Sequence, residues 1–288
     1  MRAEPFSVPS EAASQPFSEG MNLSGKVVYR HSAAVRITHW LFFIAFLALV
    51  SSGLQIFNAA PYLDASDKTD PHHRVLAVDS PSDGVGTTTL FGRTFYTTGW
   101  LGWGDDGMGN RSARAFPGWL TIPAYQSLAD GRRWHFFFAW IMGLCGLWYV
   151  VAGLLRGDLR ELILRPSDVP KLLPMQLYYL RLRKDAPLHG KYNPLQKLAY
   201  TFVIFIFAPL LVLSGLALSP GFDALLHPIT VVFGGRQFAR LWHFVFMIAL
   251  CGFFATHLVL VATTGVWNHL RSMFTGRYRL GAHDGTGI

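Results

Sequence analysis

Four stretches of this chain are apolar for long enough to cross a membrane, near residues 40–60, 136–155, 199–219 and 242–267. A hydrocarbon core of about 30 Å calls for about 20 mainly apolar residues in a helix, and each stretch supplies that length. A fifth apolar patch, residues 224–234, is too short to span and is interrupted by His227-Pro228. The connection between the first two spans, residues 58–133, is long and glycine-rich, and carries Tyr96, Trp100, Trp103, Trp119 and Tyr125. That aromatic content argues against a disordered linker. It leaves open a small ordered cap that docks a partner, or a lid lying in the headgroup layer, where Trp and Tyr also concentrate. The first 35 residues are polar, and no cleavable apolar stretch precedes Trp40. The first span is therefore expected to stay as an anchor rather than leave as a signal peptide. The pattern divides the chain into a flexible tail (1–34), a membrane domain (35–279) and a second tail (280–288), and predicts an all-α integral membrane protein built as a four-helix bundle with a long connection between its first two helices.

Composition agrees, with 51% hydrophobic residues among 288, and the net charge of +8 is informative only through its distribution. The connection at residues 156–198 carries nine Lys/Arg against four Asp/Glu, whereas residues 58–133 carry seven against eight. By the positive-inside rule, 156–198 and both termini face the cytoplasm, and 58–133 and 220–241 face outward. The basic excess thus reads as topology and not as a nucleic-acid footprint. Cys145 and Cys251 lie inside spans without a CxxC partner, and no CxxCH offers covalent haem attachment. Both read as small packing residues.

Eleven histidines sort by depth. Seven fall in connections or tails. The other four, His39, His135, His243 and His257, lie at or inside spans, where an imidazole normally has a partner or a ligand. His243 and His257 are fourteen residues apart on one helix, which returns them to within about 40° of one face, about 21 Å apart along the axis. With the N-terminus inside, His135 matches His243 at the outer side and His39 matches His257 at the inner side. The inner match is looser unless the first helix starts early, near Ala33. Two imidazole pairs in a four-helix bundle suit two bis-histidine haems. Zinc would need further ligands, and no Cys, Asp or Glu is placed to supply them.

Small and basic residues flank these positions. Gly53, fourteen residues after His39, would let the first helix approach the outer macrocycle, and Gly143 and Gly146 could do the same at the inner one. Gly215 recurs in VLSGL, against VSSGL around Gly53, which hints at an old helix-pair duplication although the third span has no histidine. Arg36, Arg132, Arg133 and Arg240 could meet haem propionates or anchor helices at headgroups. Asn193 and Gln196, in KYNPLQK at residues 191–197, read chemically as a helix-start cap.

With these residues in hand, the chain resembles the bacterial di-haem cytochrome b561 family, which includes the cytochrome b subunits of formate dehydrogenase-N, nickel–iron hydrogenases and thiosulfate reductase. THW at the first span, a histidine opening the second, H-x13-H in the fourth and KYN-x-x-QK before the third carry the likeness. The resemblance implies a multi-pass protein of the bacterial inner membrane with two b-type haems on His39/His257 and His135/His243. It also implies exchange of electrons with a quinone near the inner haem, where Asn193 and Gln196 could contact the quinone carbonyl. Outside, a periplasmic oxidoreductase would dock, a molybdopterin enzyme being favoured because the 58–133 connection departs from the usual family length. Two other readings compete: a stand-alone superoxide:quinone oxidoreductase, and a non-redox transporter or scaffold subunit, which would need acidic or broken helices lining a path.

Overall fold

Ser32 sets where the first helix begins. Its hydroxyl accepts from the Val35 amide, and α1 runs Ala33–Phe57. The computed structural model describes residues 25–157, 159–187 and 192–279. The tails at 1–24 and 280–288, and Lys191 of the KYN motif, lie outside the described residues. Among the described residues, seven short strands precede the second span, one before α1 and six after it. That span, α2 (Leu128–Arg156), is capped by Ser127 and ends at Gly157 in the left-handed conformation that favours glycine.

Short helices α3 (Leu159–Leu162) and α4 (Leu172–Tyr179) lead to the third span. It consists of α5 (Pro194–Phe202), a π turn at Val203–Phe207 and α6 (Ala208–Leu218). Pro209 lacks an amide hydrogen, and the widened turn just before it takes up the broken ladder. The fifth apolar patch becomes part of α7 (Pro220–Val232), kinked at Leu226 ahead of His227-Pro228. The fourth span is α8 (Arg236–Thr263), followed by α9 (Val266–Thr275). Four helices have membrane length and apolarity: Ala33–Phe57, Leu128–Leu155, Pro194–Leu218 and Arg236–Thr263. Each starts five to eight residues earlier than the apolar stretch alone indicates, because capping residues and not hydropathy set the helix ends.

The bundle shows its solvent by what it exposes. Trp140, Leu144, Leu147, Trp148, Val151 and Leu154 of α2 all stand exposed, a continuous apolar face far beyond what a water-facing surface carries. α1 packs along α2, and α6 packs along α8. α1 and α8 meet through Phe46 against Phe254, with ring centres 5.2 Å apart, and Phe57 against Phe244, at 5.3 Å.

The connection after α1 is a β structure, not the loop or helix that an all-α description implies. After the terminal strand β1 (Val27–Tyr29) come β2 (Tyr62–Asp64), β3 (Arg74–Ser82), β4 (Val85–Leu90) and β5 (Arg93–Tyr96), an antiparallel sheet in order β2-β3-β4-β5. A hairpin of β6 (Gly102–Asp105) and β7 (Arg111–Arg114) follows. Phe91 and Gly92 both take positive φ in the two-residue turn joining β4 to β5, the geometry that matches strand twist. A Cβ on Gly102 would meet the Asp79 carbonyl at 2.5 Å, so only glycine lets the hairpin lie against the sheet.

This insert sits on the bundle end through one small core. Phe57, Leu63, Val78 and Ala115 are buried together, with Leu241 and Phe244 of α8 packed against them. Each large side chain so buried contributes about 1.5–3 kcal/mol. At the opposite end β1 pairs antiparallel with β8 (Arg277–Arg279), so the described part of the expected N-terminal tail is a strand.

Candidate functional site

The four span histidines meet in two pairs. His39 and His257 have ring centres 6.4 Å apart, and His135 and His243 are 6.2 Å apart. The starts and ends of the helices make the depths agree. His39 follows the start of α1 by six residues and His257 precedes the end of α8 by six, while His135 and His243 each follow their helix start by seven. The early start of α1 at Ala33 removes the mismatch expected at the inner pair.

The separations test what such pairs could hold. Two imidazoles sharing one metal ion would place their ring centres about 6.2 Å apart, from a metal–nitrogen bond of about 2.0 Å and about 1.1 Å from nitrogen to ring centre. Both pairs meet that value. No cluster of three or more His, Cys, Asp or Glu among the described residues could hold a bare metal ion. The donor set therefore fits a macrocycle that brings its own equatorial nitrogens.

The two pairs differ in their surroundings. At the insert end, Ser52 Oγ lies 3.1 Å from His135 Nδ1, and Ser214 Oγ lies 3.0 Å from His243 Nδ1. Gly53 does make room there, but for the histidine itself: a Cβ would sit 3.4 Å from His135 Cε1. Gly215 does the same for His243, at 3.2 Å. Gly143 and Gly146 face open space. At the termini end, His39 stands edge-on to Trp40 at 5.5 Å, and His257 stacks on Phe253 at 6.3 Å. Trp40 in turn stacks on Phe274 of α9 and donates to the Met273 carbonyl.

The arginines divide. Arg36 donates through Nη1 to the Phe274 carbonyl, while its buried Nε has no partner among the described residues. Arg133 pairs with Asp130 and is 82% exposed, which favours the headgroup-anchor reading. Arg132 lies over Phe136, 5.7 Å from the ring centre. Arg240 donates to the Ala60 carbonyl and lies over Phe57 and Tyr62, tying α8 to the insert.

Asn193 and Gln196 form a full capping box. Asn193 Oδ1 accepts from the Gln196 amide at 2.9 Å, and Gln196 Oε1 accepts from the Asn193 amide at 3.1 Å. Asn193 Nδ2 also donates to the Tyr179 hydroxyl. One turn on, Lys197 Nζ bonds Asp168 at 2.9 Å, and this holds the Asp168 carboxyl below its ordinary range.

Reading the sequence alone misses three residues that the geometry brings forward. Two are Ser52 and Ser214, whose only signal is the VSSGL/VLSGL likeness. Arg114 is the other: 4% exposed, it donates to the Phe116 and Ala124 carbonyls, to Gln55 Oε1 and to Thr121 Oγ1. Burial pulls its guanidinium below the ordinary arginine range. An isolated Arg at the end of a four-residue strand carries no pattern that would reveal it.

Four membrane-length helices, three of which bring histidines together at the two ends, define a membrane-embedded bundle with two bis-imidazole sites. A family model of prokaryotic cytochrome b561 matches residues 30–276, and the chain belongs to that family. Membership implies b-type haem binding and an electron-transfer role within a multi-pass membrane protein. The chain is also similar to the "Putative protein-methionine-sulfoxide reductase subunit YedZ1" of Azospira oryzae (strain ATCC BAA-33 / DSM 13638 / PS), 25% identical over 249 residues, which cover 83% of this chain and 93% of the relative.

Proposed function

We propose that this chain is a di-haem cytochrome b that carries electrons between a quinone in the membrane and a partner oxidoreductase on the insert side. The observation that carries the reading is the near-equal separation of the two histidine pairs, 6.4 and 6.2 Å, at opposite ends of one bundle. His39/His257 and His135/His243 would each hold one haem. Bound there, the haems supply one-electron chemistry at iron, at potentials set by the axial imidazoles, burial and nearby charge.

The basic connection at residues 156–198 supports a cytoplasmic placement of the termini end, and so a periplasmic insert. Quinone is then handled at the cytoplasmic side, near the start of α5. Asn193 is engaged in the helix cap, so the amide nitrogen of Gln196, an exposed residue, is the donor left for a quinone carbonyl. The insert, with its own core against Phe57 and Phe244, is the surface we assign to the partner.

The relative's name points to the chemistry of that partner. Carried to this chain, it makes the partner an enzyme that reduces an oxidised sulfur, with molybdopterin as its favoured cofactor. Reducing a sulfoxide to a sulfide and water takes two electrons and two protons. A quinol gives up both electrons on the membrane side, so the flow runs outward through the bundle.

The test begins with the full chain purified in detergent after expression with added haem. Close to two haems per chain, with b-type bands that a quinol reduces, is the expected result. A colourless preparation would overturn the reading. A periplasmic molybdenum enzyme that co-purifies supports the assigned partner; a preparation that reacts with superoxide without one supports the stand-alone reading instead.

A further inference from the structure

LVSSGL at residues 49–54 and LVLSGL at residues 211–216 do the same thing in two different helix pairs. Each sets a serine hydroxyl against the Nδ1 of a histidine on the neighbouring helix, and a glycine beneath the same ring. Both serines are fully buried.

The direction of these bonds follows from what else the atoms touch. Ser52 Oγ donates its only proton to the Ala48 carbonyl at 2.6 Å, so toward His135 it accepts. His243 Nδ1 also lies 3.1 Å from the Leu211 carbonyl, which can only accept, and Ser214 Oγ donates to that same carbonyl at 3.0 Å. Both imidazoles therefore carry their proton on Nδ1 and keep the Nε2 lone pair for a metal. The other pair has no such arrangement: His39 Nδ1 is buried without a partner among the described residues.

We propose that Ser52 and Ser214 are positioning residues of the insert-side centre. They fix the tautomer and the orientation of both ligands, and by accepting from Nδ1–H they make each imidazole a stronger electron donor. An outer-sphere bond of this kind favours the oxidised metal and lowers the centre's midpoint potential. This inference rests on the two-haem reading. It explains why the third span keeps the serine–glycine motif while holding no histidine of its own.

Potentiometric titration of the b-type bands tests it, with the full chain as wild type, Ser52→Ala, Ser214→Ala, Ser52→Thr and Ser214→Thr. His243→Ala identifies which wave belongs to the insert-side centre. The expected result is an upward shift of that wave in each alanine variant, no shift of the other, and potentials close to wild type in the threonine variants, which keep the hydroxyl. Loss of the insert-side haem alone in an alanine variant, restored by threonine, supports the proposal as well. Two retained haems with unmoved potentials overturn it, as does a loss that threonine does not restore. A wild type without haem refutes the two-haem reading itself and is told apart at once.

Discussion

The ring centres of His39 and His257 lie 6.4 Å apart although the residues stand 218 positions apart in the chain. That meeting closes the bundle at the termini end, and it pairs the first helix with the last. His135 and His243 close the other end between the second helix and the last. One helix, α8, therefore serves both sites, and the two sites can be lost separately.

His257→Ala is expected to remove one haem and leave the other, and His243→Ala to do the converse while sparing the termini-side haem. Haem content per chain, measured as the pyridine complex, checks both. A drop from about two to about one is the predicted reading for each variant.

Gly215→Val places branched carbons where a single Cβ would already stand 3.2 Å from His243 Cε1. His243 is held by Ser214 and Leu211, so it cannot simply swing aside. Loss of the insert-side haem with the bundle still folded is expected, seen as one remaining haem and a normal elution volume. Gly53→Val should act in the same direction more weakly, because its Cβ would have 3.4 Å to His135.

Arg114→Met removes a charged donor from Gln55, Thr121 and the Phe116 and Ala124 carbonyls, of which Gln55 and Phe116 keep only Asn58 Nδ2. Each lost charge-assisted bond is worth about 1.5–3 kcal/mol, and several fail together. The insert should loosen from the end of α1. Limited proteolysis is the direct measurement: cleavage within residues 58–127 should become faster while the spans stay protected.

Asp168 gives a pH prediction. The Lys197 hydrogen bond, helped by the Arg165 amide and the charge of Lys171, holds its carboxyl below the ordinary value of 3.8 although burial pushes the other way. A depressed folded-state value contributes stability above the unfolded value, and that stability is lost as pH falls through the folded one. Asp168→Asn should thus lower thermal stability equally across pH 5–8, where the carboxylate is charged in both the folded and the unfolded chain. Below about pH 4 the melting curves of variant and wild type should converge.

Much of the bundle was legible because the bilayer makes spans long and histidines within them rare. His39, His135, His243 and His257 stood out on those grounds alone, and the depths that the charge distribution implies ordered them into pairs. The insert was less legible. Its strands are short, and its fold depends on close approaches such as Gly102 against Asp79, which no local pattern announces. For Arg133 the sequence left propionate pairing and headgroup anchoring open, because only the folded helix shows Asp130, one turn earlier, engaging it. Ser52 and Ser214 escaped notice because serine in a membrane helix usually bonds back to its own backbone, which both of these also do.

The pairing of β1 with β8 reaches beyond local structure. The Arg30 amide bonds the Gly276 carbonyl and the Arg30 guanidinium lies over Tyr278, so the polypeptide is tied back on itself where the first helix enters and the last one leaves. A pull on either end is shared by both helices rather than peeling one of them from the lipid. His39 lies on α1 and His257 on α8, which runs through α9 into β8, so this one tie anchors the elements that bear both imidazoles.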